Sequence, residues 1–451
     1  MNKMRVLASV LLLGLAQSAL ATTLSQAYEQ AKVSDPVVKK AFADSQQIME
    51  GREQAKGALL PQLSAKGSAS TSRYIDHSRD HGAYADNSFN QNRTFSIGLN
   101  LSQSLYNMSL WRTLSLQEKA AQQAEVAYQA AQQNLLYRVA QAYIDVLNSL
   151  DALDSVRAEK RAVQNQLKDT NQLYQVGLVA ITDVNEARAQ FDSVVASEIA
   201  AKNAVDNSIE NLASITGEYP TQLNKLNTAR FKTKNYGSPE QYIQTGETRN
   251  LTLAYYKMAK ELAKQGIKVA ESGHLPTVNL VVGLNRTNAR LPRAMNYGIP
   301  DHTLDQASIG VEVSLPLYTG GRTSSQVRQQ QHAYVSSAES LETTHRDLVK
   351  NIRSTVNGLN ATASSIKAYQ QYVVSSNSAY NATREGYEAG TRTVLDVLTA
   401  TRNRHNAQRQ LSQARYQYLM LELQLRQLQG TLDQSDLAQL NSLLTVKTRL
   451  Q

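Results

Sequence analysis

Between Trp111 and Gly177 the chain carries neither proline nor glycine. A helix over this stretch would span ~100 Å at ~1.5 Å per residue. Its apolar residues Leu136, Val139, Tyr143, Val146, Leu150 and Leu153 step at three and four, which marks one buried stripe. A second long helical pattern of similar length runs from Thr323 to Ala389. Each ends in a short segment that reads as a hairpin turn: Val176-Gly177-Leu178-Val179-Ala180-Ile181-Thr182-Asp183-Val184 and Ala389-Gly390-Thr391-Arg392-Thr393-Val394-Leu395-Asp396-Val397. A shorter helical arm follows each turn. The first runs from Asp183 to Thr216 and stops at Gly217. In the second, Ala407, Leu411, Ala414, Tyr418, Leu421, Leu425 and Leu428 form a coiled-coil seam that ends at Gly430. The expected helical hairpins are therefore 111–216 and 323–430.

The two turns are copies of one design. Tyr174, Gly177, Asp183 and Val184 recur 213 positions later as Tyr387, Gly390, Asp396 and Val397. Leu60-Pro61 recurs 215 positions later as Leu275-Pro276, and Tyr106 recurs 212 positions later as Tyr318. This internal repeat divides the chain into 22–236 and 237–451.

Each repeat also carries strand patterns before its long helix. Leu24 to Val33 reads as a short helix, and Asp35-Pro36 opens a second one running to about Ala58. Weak alternation then marks a strand at about 63–75, and Phe95, Ile97, Leu99, Leu101 and Leu105 mark a clear one at about 94–105. In the second repeat Asn250 can cap a helix to Ser272, and strands follow at about 277–285 and 308–317. The polar segments 76–92 and 285–306 read as long loops, 219–246 as a connector, and the residues after Gly430 as a short polar tail.

Lys3 and Arg5 precede an apolar run from Val6 to Ala16, and Ala19-Leu20-Ala21 follows. This is the pattern of a secretory signal peptide over 1–21. No later apolar run approaches the ~20 residues of a spanning helix. The net charge of +9 is interspersed, which excludes a nucleic-acid stripe. There is no cysteine, so neither disulfides nor thiolate metal sites arise. The seven histidines are scattered, no phosphate-binding glycine loop occurs, and no nucleophile–base pair can be placed. The chain offers no catalytic residue, metal site or cofactor site, and an enzyme is not expected.

A secreted chain with amphipathic strands and no membrane helix points to a membrane β-barrel. Four strands cannot close one, because at least eight are needed, and an open edge is forbidden in lipid. Strands must be pooled among copies: two copies give eight and three give twelve. Apolar residues would face lipid, and Thr94, Ser96, Asn100, Ser308, Glu312 and Ser314 would face water inside. The polar helices would project into the periplasm, forming a duct whose far end carries the two turns. The competing reading is a periplasmic adaptor or structural coiled coil, which shares the signal and the hairpins but not the four strands.

Specific strings sharpen this. Leu105-Tyr106-Asn107-Met108-Ser109-Leu110-Trp111-Arg112, Leu116 to Ala121, Gly177 to Val184, Gly273 to Thr277 and Gly390 to Thr393 resemble the TolC family of outer-membrane efflux proteins across nearly the whole mature chain. The resemblance implies a homotrimer with a twelve-stranded β-barrel, a periplasmic α-helical barrel and an α/β equatorial belt. It also implies export of drugs, small toxic molecules and proteins through the outer membrane. Its implied partners are a periplasmic adaptor and, through it, an inner-membrane RND, MFS or ABC transporter. Carried over residue by residue, gating links join Tyr387 to Asp183 and Gln172 within one chain, and Arg392 to Thr182 and Asp183 of a neighbour. Of the family's two entrance aspartate rings, Asp396 matches the first and Thr399 stands at the second, a departure that leaves three inward carboxylates per trimer. Adaptor docking falls on Val176-Gly177-Leu178 and on Gly390-Thr391, where Ala389 departs from the family's Val-Gly-Thr.

Overall fold

The computed structural model describes residues 22–74, 90–290 and 302–449. The signal segment 1–21 and the centres of both polar loops lie outside the described residues. In chain order the elements are α1 (Leu24–Ser34), α2 (Pro36–Gly57), β1 (Gln62–Tyr74), β2 (Asn90–Asn107), α3 (Met108–Gln175), α4 (Ile181–Thr216), β3 (Gln222–Leu226), α5 (Glu240–Arg249), α6 (Leu251–Glu271), β4 (Thr277–Arg290), β5 (His302–Ser314), α7 (Arg322–Glu388), α8 (Val394–Leu428), α9 (Gln434–Leu443) and β6 (Leu444–Arg449). A single turn of 3₁₀ helix, Ser272–His274, precedes β4. The helix at Asn250 starts as expected, since the Asn250 side chain accepts from Leu253 N at 2.8 Å.

These elements form two compact units, each drawing on both repeats. One contains 44–125 and 256–341, the other the remainder. The mixing has a simple cause: the strands of one repeat pair with those of the other. The sheet order is β1-β2-β4-β5, antiparallel throughout, so each repeat supplies one hairpin and the two hairpins meet at β2–β4. Among the described residues, both outer strands keep an unpaired edge.

The register gives the sheet two chemically distinct faces. Directly opposed residues share a face. One row is Leu63, Leu101, Val282 and Ile309, and the next of the same parity is Ala65, Leu99, Leu284 and Ala307. Between them on the other face run Ser64, Asn100, Gly283 and Ser308. There Ser96 and Thr287 hydroxyls meet at 3.3 Å. The apolar face is uncovered within the chain: Ile309 is 76% exposed and Leu63 70%.

The strands overrun the expected loops. β2 starts at Asn90, β4 continues to Arg290 and β5 starts at His302, so the strands reach into both segments that read as loops. Polar cross-strand pairs sustain the pairing beyond the apolar band. Asn288 Nδ2 donates to Thr303 Oγ1 at 3.2 Å, and Arg286 donates to both oxygens of Asp305 at 2.6 and 2.7 Å. At the other end β5 stops at Ser314, short of the expected 317.

The other unit is built on α3. The expected stripe from Leu136 to Leu153 is buried, and Leu135, Ile144 and Leu147 are buried beside it. They pack with Leu24, Tyr28, Leu212, Leu419, Leu423, Leu437 and Leu440 in one core. The α8 seam is buried at Ala407, Leu411, Ala414, Tyr418 and Leu425, while Tyr416, Leu419 and Leu423 form a second buried stripe. That stripe is needed because the tail is not a polar coil: it folds into α9 and β6. β6 pairs antiparallel with β3, from Gln222↔Arg449 to Leu226↔Leu444. Fully buried Tyr143 ties this sheet to α3: its hydroxyl accepts from Asn224 N at 2.8 Å and donates to Thr22 O at 3.0 Å. Burial pushes the Tyr143 phenol up to about 12.

Candidate functional site at the hairpin turns

Both turns use the same backbone device. Gly177 and Gly390 sit at φ 77° and 75°, the left-handed region that L side chains avoid. Leu178 N donates back to Leu173 O at 2.9 Å and Thr391 N to Gly386 O at 2.8 Å. Each is the six-to-one bond of a Schellman cap, which satisfies carbonyls that the helix end would leave orphaned. A Cβ added at either glycine would meet nothing within 4 Å, so both present bare backbone to solvent. Around the first, Val176 is 68% and Leu178 72% exposed, beside exposed Tyr174 and Ile181. Gly390 and Thr391 are exposed as well.

The next helices start differently. At α8, Thr393 and Asp396 form a reciprocal capping box. Thr393 N and Oγ1 donate to Asp396 Oδ2 at 2.9 and 3.0 Å, and Asp396 N donates to Thr393 Oγ1 at 3.2 Å. These Thr393 bonds hold the Asp396 carboxyl below its ordinary range, and the Arg392 charge adds to the effect. At α4 the corresponding cap is Ala180, which has no side-chain acceptor, and only its N–H reaches Asp183 Oδ2, at 3.2 Å.

Between the two hairpins of one chain lies a cleft lined by Gln172, Leu178, Asp183, Tyr387, Gly390, Arg392 and Thr393, among others. The structure thus gathers three intrachain gating candidates, Gln172, Asp183 and Tyr387, with Arg392. Thr182, Val176, Gly177 and Thr391 do not line it. The Tyr387 ring packs against a small core cluster made up of Val156, Val163, Ala187, Val194, Val394 and Leu398. Its hydroxyl is buried and has no hydrogen-bond partner among the described residues. Asp183 and Tyr387 therefore share a cleft without a bond between them in the single chain. Thr399 is half-buried on α8, three residues after Asp396.

Two contributors have no place in the residue-by-residue expectations. Gly386 O accepts Thr391 N, Arg392 N at 3.2 Å and Thr391 Oγ1 at 3.0 Å, and so anchors the second turn. A Cβ at Gly386 would come within 2.8 Å of Arg392 Cγ, so the missing side chain seats the arginine stem. The available signal was a glycine inside a helical pattern. Thr393 was legible as the start of a Thr-x-x-Asp capping box. Further along the hairpins, polar links join α3 to its neighbours. Arg409 Nη1 donates to buried Glu159 at 2.9 Å, Ser412 and Tyr416 hydroxyls to Asp151 at 2.7 and 2.9 Å, and Lys160 to Glu198 at 2.7 Å. Beside them His405 is buried with Nδ1 unpartnered among the described residues. Desolvation holds its pKa below the ordinary value, opposed by Glu159 and aided by Arg404 and Arg409.

A family model described as outer membrane efflux protein matches residues 27–218 and 243–431. The chain belongs to this family. It is 41% identical over 441 residues to the outer membrane protein TolC of Salmonella enteritidis, covering 96% of this chain and 88% of that one. It is 27% identical over 444 residues to the alkaline protease secretion protein AprF of Pseudomonas aeruginosa, covering 94% and 88%. The solved CmeC outer membrane channel of Campylobacter jejuni superposes with TM-score 0.74 at 18% identity, covering 93% of this chain and 89% of that one. The protein is accordingly an outer-membrane exit channel of the efflux type. The adaptor reading is set aside, since the family is one of transport channels.

Proposed function

We propose that three copies pool their four-stranded sheets into a twelve-stranded barrel continuous with a periplasmic helical tunnel, and that the tunnel opens at the hairpin turns when an adaptor docks. The observation that carries this is the two-faced sheet with an unpaired edge on each side: only closure with further copies gives those edges partners in lipid. Drugs and small toxic molecules are the cargo, and the likeness to a protease secretion protein supports secreted proteins as a second cargo. The inner-membrane partner is an RND, MFS or ABC transporter acting through the adaptor. No catalytic step is assigned to any residue.

In the resting trimer Tyr387 links to Asp183 and Gln172, and Arg392 reaches Thr182 and Asp183 of the next copy. The shared cleft, the unpartnered Tyr387 hydroxyl and the Arg392 stem seated on Gly386 support this assignment. Each link at a wet tip contributes only ~0.2–1 kcal/mol. Weak links repeated threefold make a lock that a partner opens by binding the open state better. Asp396 supplies a ring of three carboxylates at the entrance, and exposed Val176, Gly177, Leu178, Gly390 and Thr391 form the adaptor surface. The test is heat-modifiable migration of the protein from outer-membrane fractions, together with drug susceptibility of a deletion strain carrying it. Recovery in the soluble periplasm, or a stable monomer in mild detergent, would overturn the reading.

A further inference from the structure

The polar face of the sheet carries two charges among its described residues, Lys66 and Glu312. The register places both there: Lys66 opposes Gly98, which opposes Asn285, and Glu312 opposes Asn279. The other described residues of that parity are uncharged, chiefly serine, threonine, asparagine, glutamine and glycine. Lys66 sits on β1 and Glu312 on β5, the outer strands whose edges are unpaired among the described residues. Both side chains are exposed, and no hydrogen bond or ion pair joins either to another described residue. They cannot meet within one chain. Gln306 is the β5 residue on the row of Lys66, and Glu312 lies ~20 Å further along that strand.

The repeat indicates where they fall when β5 of one copy joins β1 of the next. The two hairpins share one register: Gln62↔Ser102 recurs as Thr277↔Ser314, the first strands 215 and the second strands 212 positions apart. The β2–β4 junction sets Ser102 opposite Val281. The same offsets carry Ser102 forward to Ser314 and Val281 back to Lys66. A β5–β1 junction of this kind sets Ser314 opposite Lys66 of the next copy, and Glu312 opposite its Ser68. Followed from Gln62 around one copy, that is a stagger of about eight residues. Barrel strands tilted by ~35–45° need a stagger of about four to six. At six, Glu312 faces Lys66 of the next copy directly, and at four it faces Ser64. Every one of these registers leaves the two side chains opposed or on the adjoining diagonal, within reach of a lysine. All are even, as they must be, because a slip of one residue turns a whole strand over.

The joint needs a marker because β1 is otherwise featureless. From Ser64 to Ser72 it holds only serine, alanine, glycine, threonine and the one lysine, so its even registers bury nearly the same side chains. We infer that Glu312 of one copy and Lys66 of the next form an ion pair across each closing seam, and that this pair sets the register in which the copies join. The partner is a second copy of this chain, selected by complementary charge on the two unpaired edges. The inference rests on the barrel reading above.

The chain has no cysteine, so Lys66→Cys Glu312→Cys introduces its only thiols. A short bismaleimide added to outer-membrane fractions of this variant should give covalent dimers and trimers on a denaturing gel. Ser72→Cys Glu312→Cys, with one thiol moved up β1, should give severalfold less. Lys66→Glu and Glu312→Lys each leave like charges at every seam, and each should lower the temperature at which the trimer dissociates in mild detergent. The double exchange Lys66→Glu Glu312→Lys should return that temperature to the wild-type value, a rescue that misfolding does not produce. Absence of covalent dimers from a double-cysteine variant that still assembles overturns the pair, as does a double exchange no more stable than either single variant. A wild-type protein that is monomeric in mild detergent overturns the barrel reading instead, so the two failures are distinguishable.

Discussion

Replacing Gly390 separates two jobs that one glycine can hold. At φ 75° an ordinary L residue costs ~1–2 kcal/mol, whereas asparagine visits this region far more readily. No atom lies within 4 Å of the new Cβ, so clash adds nothing to that cost. Gly390→Ala should therefore lose ~1–2 kcal/mol locally, a factor of about 5–30 in the stability of the turn, while the buried cores further along the hairpins stay untouched. Gly390→Asn should lose less. If the glycine serves only the helix cap, the alanine variant is impaired and the asparagine variant works. If an adaptor backbone must approach closely, both side chains hold it off, and both variants lose export while the oligomer still forms. The second outcome is expected, and likewise for Gly177. The assay is minimal inhibitory concentration for exported drugs in a deletion strain, with heat-modifiable migration as the assembly control. Wild-type resistance with Gly390→Asn would refute the close-approach argument.

Three further outcomes follow from the same geometry. Thr399→Asp should restore a second entrance ring and tighten block of planar-bilayer conductance by a trivalent cation, and wild-type block as tight as that of the variant would sink the one-ring reading. Tyr387→Phe removes a buried hydroxyl that has no partner among the described residues, so it should raise open-channel conductance with little loss of fold stability; unchanged conductance would mean that the hydroxyl makes no gating link. His405 is held neutral by burial, so its contribution to stability is fully present above the ordinary histidine value of about 6.5 and is lost as pH falls below it. Thermal unfolding should drop between pH 7.5 and 5.5, and His405→Gln should flatten that slope; an unchanged slope would exclude His405 as its source.

Much of this was legible because periodicity was long and repeated. A helix of 68 residues and one of 67 cannot hide in a sequence, and the turns were marked by glycines whose left-handed φ only glycine adopts cheaply. Element ends were less legible. β4 runs on to Arg290 through residues that read as loop, because Arg286–Asp305 and Asn288–Thr303 support each other only once the register has brought them together.

The sequence by itself determined the repeat, the two hairpins, the four amphipathic strands and the residue types at the turns. These depend on local spacing, which the chain carries in full. Only the tertiary structure decided that the connector and the tail pair as β3 and β6. Their strands are five and six residues long, too short for a periodic signal, and they find each other because Tyr143 and the core beneath them need covering. It also decided which carboxylate is held by a reciprocal capping box, since Thr393 caps Asp396 while Ala180 can offer Asp183 only a backbone N–H.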